Sequence, residues 1–384
     1  MRTGRGRRAI FFLALIVLYI ATGCRRDDES SVVLYVSADE NIARQVIDAF
    51  EKETGINVLM VGDTEVKKTA GLVERLRAEK NHPRADVFWS SEIFMTIDLA
   101  KEGMFETYTS SATADWPAAY CDPQHRWHGF ALRARVIVYA PDRIKSDELP
   151  KTWMDLTQDR FKGRIVMADP RFGTTGGHLG VMKAYWDHEV MPGYFAAYVE
   201  GLAENKVRLL PGGNAGVVEA VAKGEADLGM TDSDDVWAAQ AQGLNVKLIY
   251  PAHNVAVDEP GVGTLVIPNT VARLKDSPHP DLAKRLVDFL LSEKIERMMA
   301  ESDAHNIPVR SALAAHYSQY AAPNPLKIDY AKAADMRTTA VRLFVWKLQA
   351  GAQSEPAQAR PAETMPASTR SDDRPRAEAN PNAG

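Results

Sequence analysis

The chain has 384 residues but only two cysteines, Cys24 and Cys121. Two thiols cannot build the framework that holds small disulfide-rich proteins together, and they form no CxxC pair for zinc or redox chemistry. The sequence also lacks an HExxH zinc motif and a phosphate-binding loop of the form GxxxxGKS or GxxxxGKT. These absences argue against zinc hydrolases, thiol oxidoreductases and P-loop ATPases.

An excess of positive charge is absent as well, since 51 acidic residues outnumber 46 basic ones and the formal net charge at pH 7 is −5. Residues 1–23 carry four arginines and no acid, so a chain that begins at Cys24 carries −9. A net negative chain without a basic stripe does not attract nucleic acid, and we expect no nucleic-acid partner. The hydrophobic content of 45% and the charged content of 25% are typical of a soluble globular protein.

One apolar run, residues 9–20, follows the N-terminal arginines and is short for a membrane span, but it has the length of a signal-peptide core. It ends in Ala21-Thr22-Gly23-Cys24, which resembles a bacterial lipobox except that Ala21 stands where leucine is preferred. The pattern predicts a lipoprotein signal peptide over residues 1–23, a lipidated Cys24 and a short tether over residues 24–31. The protein would then be periplasmic or otherwise extracytoplasmic, and lipid-anchored to the membrane. The alternative is an ordinary cleaved signal peptide with an incidental cysteine.

Two histidines, His125 and His128, lie three residues apart around Arg126 and Trp127 in a predicted loop. Paired histidines can bind a transition metal, although ordinary surface histidines also occur at this spacing. We interpret them as ordinary surface histidines, with a metal site as the alternative.

From residue 32 onwards, apolar runs that predict buried strands alternate with stretches of helical spacing. The predicted strands are 32–36, 56–61, 85–89, 130–139, 164–168, 226–230 and 265–268. Helices are predicted from residue 41 to Gly55, over 66–80, before Gly103, and over 217–222 and 236–240. This alternation is typical of an α/β fold with a parallel sheet that helices cover on both faces.

A cluster of polar residues, Asp232, Ser233 and Asp234, follows the predicted strand 226–230. In open α/β sheets, ligands bind beyond the carboxyl ends of strands, which is where these side chains fall. The alternative is that Asp232 or Ser233 caps the next helix while the other acids complement its dipole. Both interpretations predict little loss of stability for Asp232→Asn, because asparagine is also a good cap.

A second candidate site is the segment Gly173-Thr174-Thr175-Gly176-Gly177, which opens a predicted helix after the strand 164–168. Backbone N–H groups at a helix start, beside hydroxyl groups, can bind an anion. The segment 211–216, which contains Asn214, is a weaker case of the same kind. The alternative is a loop whose glycines serve only the turn.

The order of several motifs resembles one known family. VVLYVSADENIARQVIDAFEKETGINVLMV and ADVFWSSEIFMTIDLAKEGMFETY open the chain like a type II periplasmic solute-binding protein of an ABC importer. LPKTWMDLTQDRFKGRIVMADPRFGTTGGH, VAKGEADLGMTDSDD and LVDFLLSEKIERMMAESDAHNIPVR continue the match, which covers roughly residues 32–310. The resemblance is to the iron(III)-binding branch, also called extracellular solute-binding protein family 1.

The resemblance implies two α/β lobes that crossing strands join, with the ligand in the cleft between them. Lobe 1 would comprise residues 31–130 plus 262–312, and lobe 2 residues 131–261. Predicted helices over residues 311–322 and 328–349 would brace one lobe, and residues 350–384 lack the apolar content to fold.

The resemblance also implies a function, which is capture of a small ligand by lobe closure and delivery to an ABC permease. The ligand would be a metal ion with an anion, or a small organic ion, and the protein would be a monomer without a catalytic cofactor. Two alternatives are a ligand-sensing protein that docks on a membrane receptor and a hydrolase that uses cleft carboxylates.

Site residues follow from the resemblance position by position. Asp39 and Glu40 stand in the first-lobe loop where relatives often have a histidine, and Ser91 and Glu92 stand in the carboxylate loop after the third strand. The anion contacts fall on Thr174, Thr175, Gly176 and Asn214, with Arg133 or Arg135 reaching the same region from the crossing strand.

The main departure from the family pattern is Asp232-Ser233, because iron-binding relatives carry adjacent tyrosines there. Without tyrosinate ligands, ferric iron is a poor candidate. Asp39, Glu92 and Asp232 remain candidate metal ligands, since aspartate and glutamate oxygens bind hard divalent ions. If Asp232 or Asp234 faced the cleft opposite Asp39 and Glu92, the site would favour a cation.

Overall fold

The computed structural model describes residues 31–63, 68–254 and 258–353. The predicted signal peptide, the lipidated Cys24, nearly all of the tether and residues 354–384 of the predicted tail lie outside this part. None of the described helices is long and apolar enough to cross a membrane.

The described chain alternates strands and helices along most of its length, as predicted. The strands are β1 Ser31–Val36, β2 Asn57–Val61, β3 Val87–Ser90, β4 His128–Tyr139, β5 Ile165–Ala168, β6 Arg208–Leu210, β7 Leu228–Asp232, β8 Lys247–Ile249 and β9 Val266–Arg273. The helices are α1 Glu40–Thr54, α2 Lys68–Ala78, α3 Phe94–Lys101, α4 Gly173–Tyr185, α5 Tyr194–Glu204, α6 Gly213–Ala222, α7 Ser233–Ala241, α8 Pro280–Leu290, α9 Glu293–Glu301, α10 Ser311–His316 and α11 Tyr330–Gln353. Short 3-10 turns and one π-helical turn fill some of the connections.

The strands form one sheet in the order β2-β1-β3-β9-β4-β7-β5-β6, with β8 paired to β4. β1 pairs in parallel with β2 and β3, and β5 pairs in parallel with β6 and β7. β4 joins the two parallel groups, because residues 128–134 pair with β9 and residues 135–139 pair with β7. Strand β4 therefore carries the backbone from one parallel group to the other.

Both faces of the sheet are buried. Leu34 and Trp89 pack into one apolar cluster, whereas Tyr35 and Phe88 pack into a second cluster. Successive side chains of a strand point to opposite faces, so apolar runs without alternation require helices on both sides. This explains why β1 and β3 read as continuous apolar stretches.

The strand β7 is longer at its carboxyl end than predicted. The prediction ended it at Met230, but it continues to Asp232, which lies opposite Arg135 of β4 in the antiparallel register. The acid cluster therefore begins inside the sheet and not in the connection after it. This register decides the surroundings of the Asp232 carboxylate.

Helix α11 contacts both parts of the molecule, whereas the sequence predicted a brace on one lobe. Arg337 forms an ion pair of 2.9 Å with Asp98 of α3, and Lys347 forms one of 3.0 Å with Glu200 of α5. At Gly180 of α4, an added Cβ would lie 2.5 Å from the carbonyl oxygen of Ala333, so the helices α4 and α11 meet backbone to backbone. The predicted lobe boundaries place α3 and α4 in different lobes, and α11 spans them.

Candidate functional site

A solvent-connected cavity lies at the carboxyl ends of the parallel strands. Its wall comes from the segments that follow β1, β3, β5, β6 and β7, together with β4, β9 and the end of α9. The lining residues are Ser37, Ala38, Asp39, Ile42, Ser91, Arg133, Ala168, Asp169, Phe172, Gly173, Thr174, Thr175, Pro211, Gly213, Asn214, Asp232, Asp234, Asp235, Asn269, Met299, Ala304 and Asn306. This is the position at which open α/β sheets bind ligands.

Two helix N-termini face the cavity on one side. Gly173, Thr174 and Thr175 begin α4, and Gly213 and Asn214 begin α6. The first N–H groups of a helix have no partner within the helix, and the helix dipole adds partial positive charge there. This side of the cavity therefore suits an anionic group.

Asp232 lies behind these helix starts in a network of donors. Its Oδ1 accepts a hydrogen bond of 2.8 Å from Nη1 of Arg135. Its Oδ2 accepts bonds of 2.7 Å from Oγ1 of Thr174 and 2.7 Å from Nδ2 of Asn214. Asp232 occupies the N-cap position of α7, but its side chain makes no cap hydrogen bond. The capping interpretation of Asp232 is therefore wrong.

The charges around Asp232 keep it ionised. Burial alone would raise the pKa of Asp232, but the guanidinium groups of Arg135 and Arg133 and the bond from Thr174 hold it below its ordinary value. Arg135 is fully buried, and only 3% of the Asp232 side chain is exposed. The negative charge of Asp232, which the sequence analysis expected to favour a cation, is therefore offset, because the carboxylate lies between two arginines.

Arg133 contacts several residues of the cavity wall. Its Nε lies 3.3 Å from Oδ2 of Asp232 and 3.5 Å from Oδ2 of Asp234, and its Nη2 donates to the carbonyl oxygen of Ser91. Among the described residues, none accepts a hydrogen bond from Nη1 of Arg133. A buried arginine with a donor left over is suited to an acceptor on a ligand.

Acidic side chains also line the cavity. Asp39, Asp234 and Asp235 line it. Burial raises the pKa of Asp234 to about 6, the charge of Arg133 lowers it, and the charges of Asp232 and Asp39 raise it further. Asp39 and Asp234 therefore interact across the cavity, although they come from distant parts of the chain. Such a group favours a cationic atom on a ligand.

The structure brings together eight of the residues that the sequence proposed as ligand contacts. Those that line the cavity are Asp39, Ser91, Arg133, Thr174, Thr175, Asn214, Asp232 and Asp234. Four others do not line it: Glu40, Glu92, Gly176 and Ser233. Each of these four has a structural role that the sequence did not reveal.

Glu92 is a helix cap and not a cleft ligand. Its carboxylate is buried and accepts backbone N–H groups of Phe94 and Met95 at 2.8 and 2.9 Å, and burial raises its pKa to about 7. Glu40 is exposed on the first turn of α1, with its carboxylate 3.4 Å from Arg44. The geometry therefore argues against Glu92 as a metal ligand and does not support Glu40 as a ligand contact.

Gly176 and Ser233 serve packing and backbone pairing. A Cβ at Gly176 would lie 2.2 Å from the carbonyl oxygen of Pro170, so glycine is required by close approach. Ser233 is buried, and its Oγ accepts the backbone N–H of Ala134 at 3.0 Å. Ligand contact by either residue is not supported.

Several cavity residues were missed by sequence reasoning. Ser37 follows β1, Phe172 precedes α4, and Asn269 and Asn306 lie far along the chain. Ser37 and Phe172 could have been found, because they flank the predicted strand ends. Asn269 lies inside a strand and Asn306 in an irregular segment, and no periodic pattern points to either.

The carboxylates do not form a convincing metal centre. One oxygen from each of Asp232, Asp234 and Asp235 lies within 4.8 Å of the others. Both oxygens of Asp232 already accept hydrogen bonds, and Nε of Arg133 lies against two of the acids. Within the described part of the chain, no tyrosine, histidine or cysteine lines the cavity. The positive charge of Arg133 beside these acids makes the cavity a better fit for an organic ion than for a hard cation.

Comparisons with known proteins identify the family of the chain. Residues 83–334 match a family model described as bacterial extracellular solute-binding protein. The chain is 27% identical over 292 residues to iron uptake protein A1 of Synechocystis sp., covering 72% of this chain and 75% of that protein. It is 27% identical over 308 residues to a putative 2-aminoethylphosphonate-binding periplasmic protein of Salmonella typhimurium, covering 78% and 85%.

A solved structure shares the fold. The apo ferric ion-binding protein A of Pasteurella haemolytica superposes with a TM-score of 0.71 at 22% identity, over 85% of this chain and 100% of that chain. At this identity the likeness concerns the fold alone. The fold class that the sequence predicted is confirmed.

Proposed function

The chain belongs to the bacterial extracellular solute-binding protein family, and from this premise we propose that it captures a small zwitterionic solute and delivers it to an ABC-type importer. The solute would carry an anionic oxyacid group and an amine a few bonds away. The protein would act as a monomer outside the cytoplasm, lipid-anchored through Cys24.

The observation that carries the proposal is that one cavity contains both groups that favour an anion and groups that favour a cation. Arg133 and the N-termini of α4 and α6 favour an anionic group, whereas Asp39 and Asp234 favour a cationic group. A relative at 27% identity is named for 2-aminoethylphosphonate, a solute with both charges. A micromolar complex requires about 8 kcal/mol, which a few charge-assisted hydrogen bonds in a closed cleft can supply.

The family binds solutes, and the hydrolase alternative is not retained. A sensing role would use the same cavity with a membrane receptor in place of a permease. Uptake of the solute can be measured in cells that lack this protein, with and without the gene restored. Transport predicts that the restored gene increases uptake, whereas sensing predicts no direct change in uptake.

Ferric iron is the second candidate, because one relative is named for iron uptake and another for Fe(3+) binding. The cavity supplies carboxylates for a cation but also a buried guanidinium beside them. A trivalent ion at that point would be repelled by Arg133. We therefore expect purified protein to be colourless, without the charge-transfer absorption that iron–tyrosinate ligation produces.

Titration calorimetry with 2-aminoethylphosphonate and ethylphosphonate tests whether the acidic groups of the cavity meet an amine. We expect the aminated ligand to bind at least about tenfold more tightly at pH 7.5, because its amine meets Asp234, which is ionised above its pKa of about 6. Asp234→Asn should remove this preference, and so should titration at pH 5, where wild-type Asp234 is protonated. The exposed Asp281→Asn is the matched control.

The contrary outcomes of that titration are distinct. Equal affinity for the two phosphonates in wild-type protein would contradict the acidic side of the site. If the protein binds ferric citrate with visible colour and binds neither phosphonate, the ligand is iron and the proposal of a zwitterionic solute is wrong.

The lipid anchor is tested by fractionation of cells. Cys24→Ser should move the protein from the membrane fraction to the soluble extracytoplasmic fraction, because the acylated residue is lost. Cys121→Ser, which removes the other thiol, should leave the protein at the membrane. Membrane association that persists in Cys24→Ser would show that the signal peptide is of another type.

A further inference from the structure

A second group of chemically active side chains lies outside the solute cavity, in the segment that leads into β4. Cys121 and His128 form an isolated antiparallel bridge, so both side chains face the same space at the base of a loop. Sγ of Cys121 lies 3.4 Å from Nδ1 of His125 and 3.4 Å from Nδ1 of His128. None of the three residues lines the solute cavity.

These distances match a transition-metal site. One ligand atom from each residue lies within 4.8 Å of the others. In a tetrahedral zinc site, with Zn–S of about 2.3 Å and Zn–N of about 2.0–2.1 Å, neighbouring sulfur and nitrogen ligands lie about 3.5 Å apart. The sulfur–nitrogen pairs are therefore already at ligand spacing.

The buried histidine is oriented by a partner on its other nitrogen. Nε2 of His128 lies 2.8 Å from the carbonyl oxygen of Tyr108. A carbonyl can only accept, so Nε2 carries the proton of the neutral ring and Nδ1 presents its lone pair towards Cys121. Metal-bound histidines commonly donate their second N–H to a carbonyl in this way.

The loop between the ligands is held by its own contacts. The Asp122 carboxylate accepts the backbone N–H groups of Gln124 and Arg126, and the Arg126 guanidinium donates both to Asp122 and to the carbonyl oxygen of Ala100. His125 has a φ of +53°, an uncommon conformation for a residue with a side chain. Its backbone is fixed by bonds to Asp122 and Tyr108.

From these observations we propose that Cys121, His125 and His128 bind a borderline-soft divalent metal ion such as Zn²⁺. The thiolate and two imidazoles would supply three ligands, and a water molecule would complete the tetrahedron on the exposed side. Oxygen-preferring ions such as Mg²⁺ and Ca²⁺ would not compete, because the donors are nitrogen and sulfur. The metal would link His128, the first residue of β4, to the loop before the strand. The hydrogen bond from His128 to Tyr108 would extend this link to Tyr108.

Cobalt titration of the full-length, chelator-treated and reduced protein tests the site. We expect near-ultraviolet thiolate-to-cobalt charge-transfer absorption that saturates at one Co²⁺ per chain and disappears when Zn²⁺ is added. Zn²⁺ should also raise the melting temperature. Cys121→Ser should abolish the absorption and weaken Zn²⁺ binding by about 100-fold or more, because the loss of an outer-shell partner alone costs about 10- to 100-fold and Cys121 would be a direct ligand.

Two controls separate this site from others. His188→Asn changes an exposed histidine elsewhere and should bind Co²⁺ like wild type, as should Cys24→Ser. His125→Asn changes a partly exposed ligand and should weaken binding even if Cys121→Ser folds poorly.

Absence of the absorption in folded wild-type protein would overturn the proposal and leave a hydrogen-bonded His–Cys–His chain. Absorption that persists in Cys121→Ser, or that is lost in Asp234→Asn, would place the metal elsewhere and would also overturn it.

Discussion

Replacement of Asp232 by asparagine is expected to lower the free energy of unfolding at pH 7 by about 3 kcal/mol, because it removes the central charge of a buried ion-pair network. The sequence alone predicted little change, since asparagine is a good helix cap. The structure reverses that expectation, because the Asp232 side chain caps nothing and instead lies between Arg135 and Arg133.

The loss has two physical causes. Fully buried Arg135 would keep its positive charge without its nearest counter-ion. In addition, Oδ2 of Asp232 now accepts from Thr174, Asn214 and Arg133. An asparagine amide placed there would turn its N–H₂ towards these donors, or would turn it towards Nη1 of Arg135 after a flip. Either orientation leaves buried donors unsatisfied.

Urea denaturation of wild-type protein and two variants measures the effect. Asp281 forms a surface ion pair with Lys284 and is 89% exposed, so Asp281→Asn should change stability by less than about 0.5 kcal/mol. The pKa of Asp232 is held below its ordinary value of 3.8, so its stabilisation is complete at pH 7 and is lost as the pH falls through that lowered pKa. The gap between Asp232→Asn and wild type should therefore close in acid. A gap below 1 kcal/mol at pH 7 would show that the network contributes little.

The case of Asp232 also shows what the sequence could and could not predict. Apolar runs identified β1, β3, β5 and β7, because burial on both faces leaves a continuous apolar signal. Helical spacing identified several of the helices between them, but α5 and the short strand β6 were not predicted. The end of β7 was placed two residues early, since the apolar run that predicted the strand stops at Met230, before the polar residues Thr231 and Asp232. Only the pairing of β7 with β4 shows that Arg135 lies opposite Asp232.

The candidate site was predictable to the extent that it follows from strand ends. Thr174, Asn214 and Asp234 follow parallel strands, and the carboxyl ends of such strands meet at one edge. The direction of a side chain was not predictable in the same way. Glu92 also follows a strand, yet its carboxylate turns back onto the start of α3. A glutamate before a helix has both options, and tertiary packing decides between them.

Arg133 is the residue whose loss should weaken ligand binding most. It lines the cavity, lies beside Asp232 and Asp234 and has a donor, Nη1, with no acceptor among the described residues. If the proposed zwitterion binds as inferred, Arg133→Met should lower the affinity for 2-aminoethylphosphonate by about 100-fold or more, the usual effect of truncating a buried partner of a charge. Arg133→Lys keeps the charge but not the planar fork, and should recover only part of the loss.

The matched control is Arg143→Met, because Arg143 also forms an ion pair, of 3.0 Å with Asp227, but lies away from the cavity. It should lower stability slightly and leave the affinity unchanged. Circular dichroism at the temperature of the titration establishes that each variant is folded.

Loss of Arg133 should also change the acid beside it. The charge of Arg133 lowers the pKa of Asp234, which burial raises to about 6. In Arg133→Met that pKa should rise further, so that Asp234 becomes largely neutral near pH 7 and the preference for an amine weakens together with the anion contact. Carboxyl NMR titration of Asp234 in the two proteins measures this shift directly. If Arg133→Met is folded, binds 2-aminoethylphosphonate like wild type and leaves the pKa of Asp234 in place, then Arg133 is a structural residue and the ligand does not reach it.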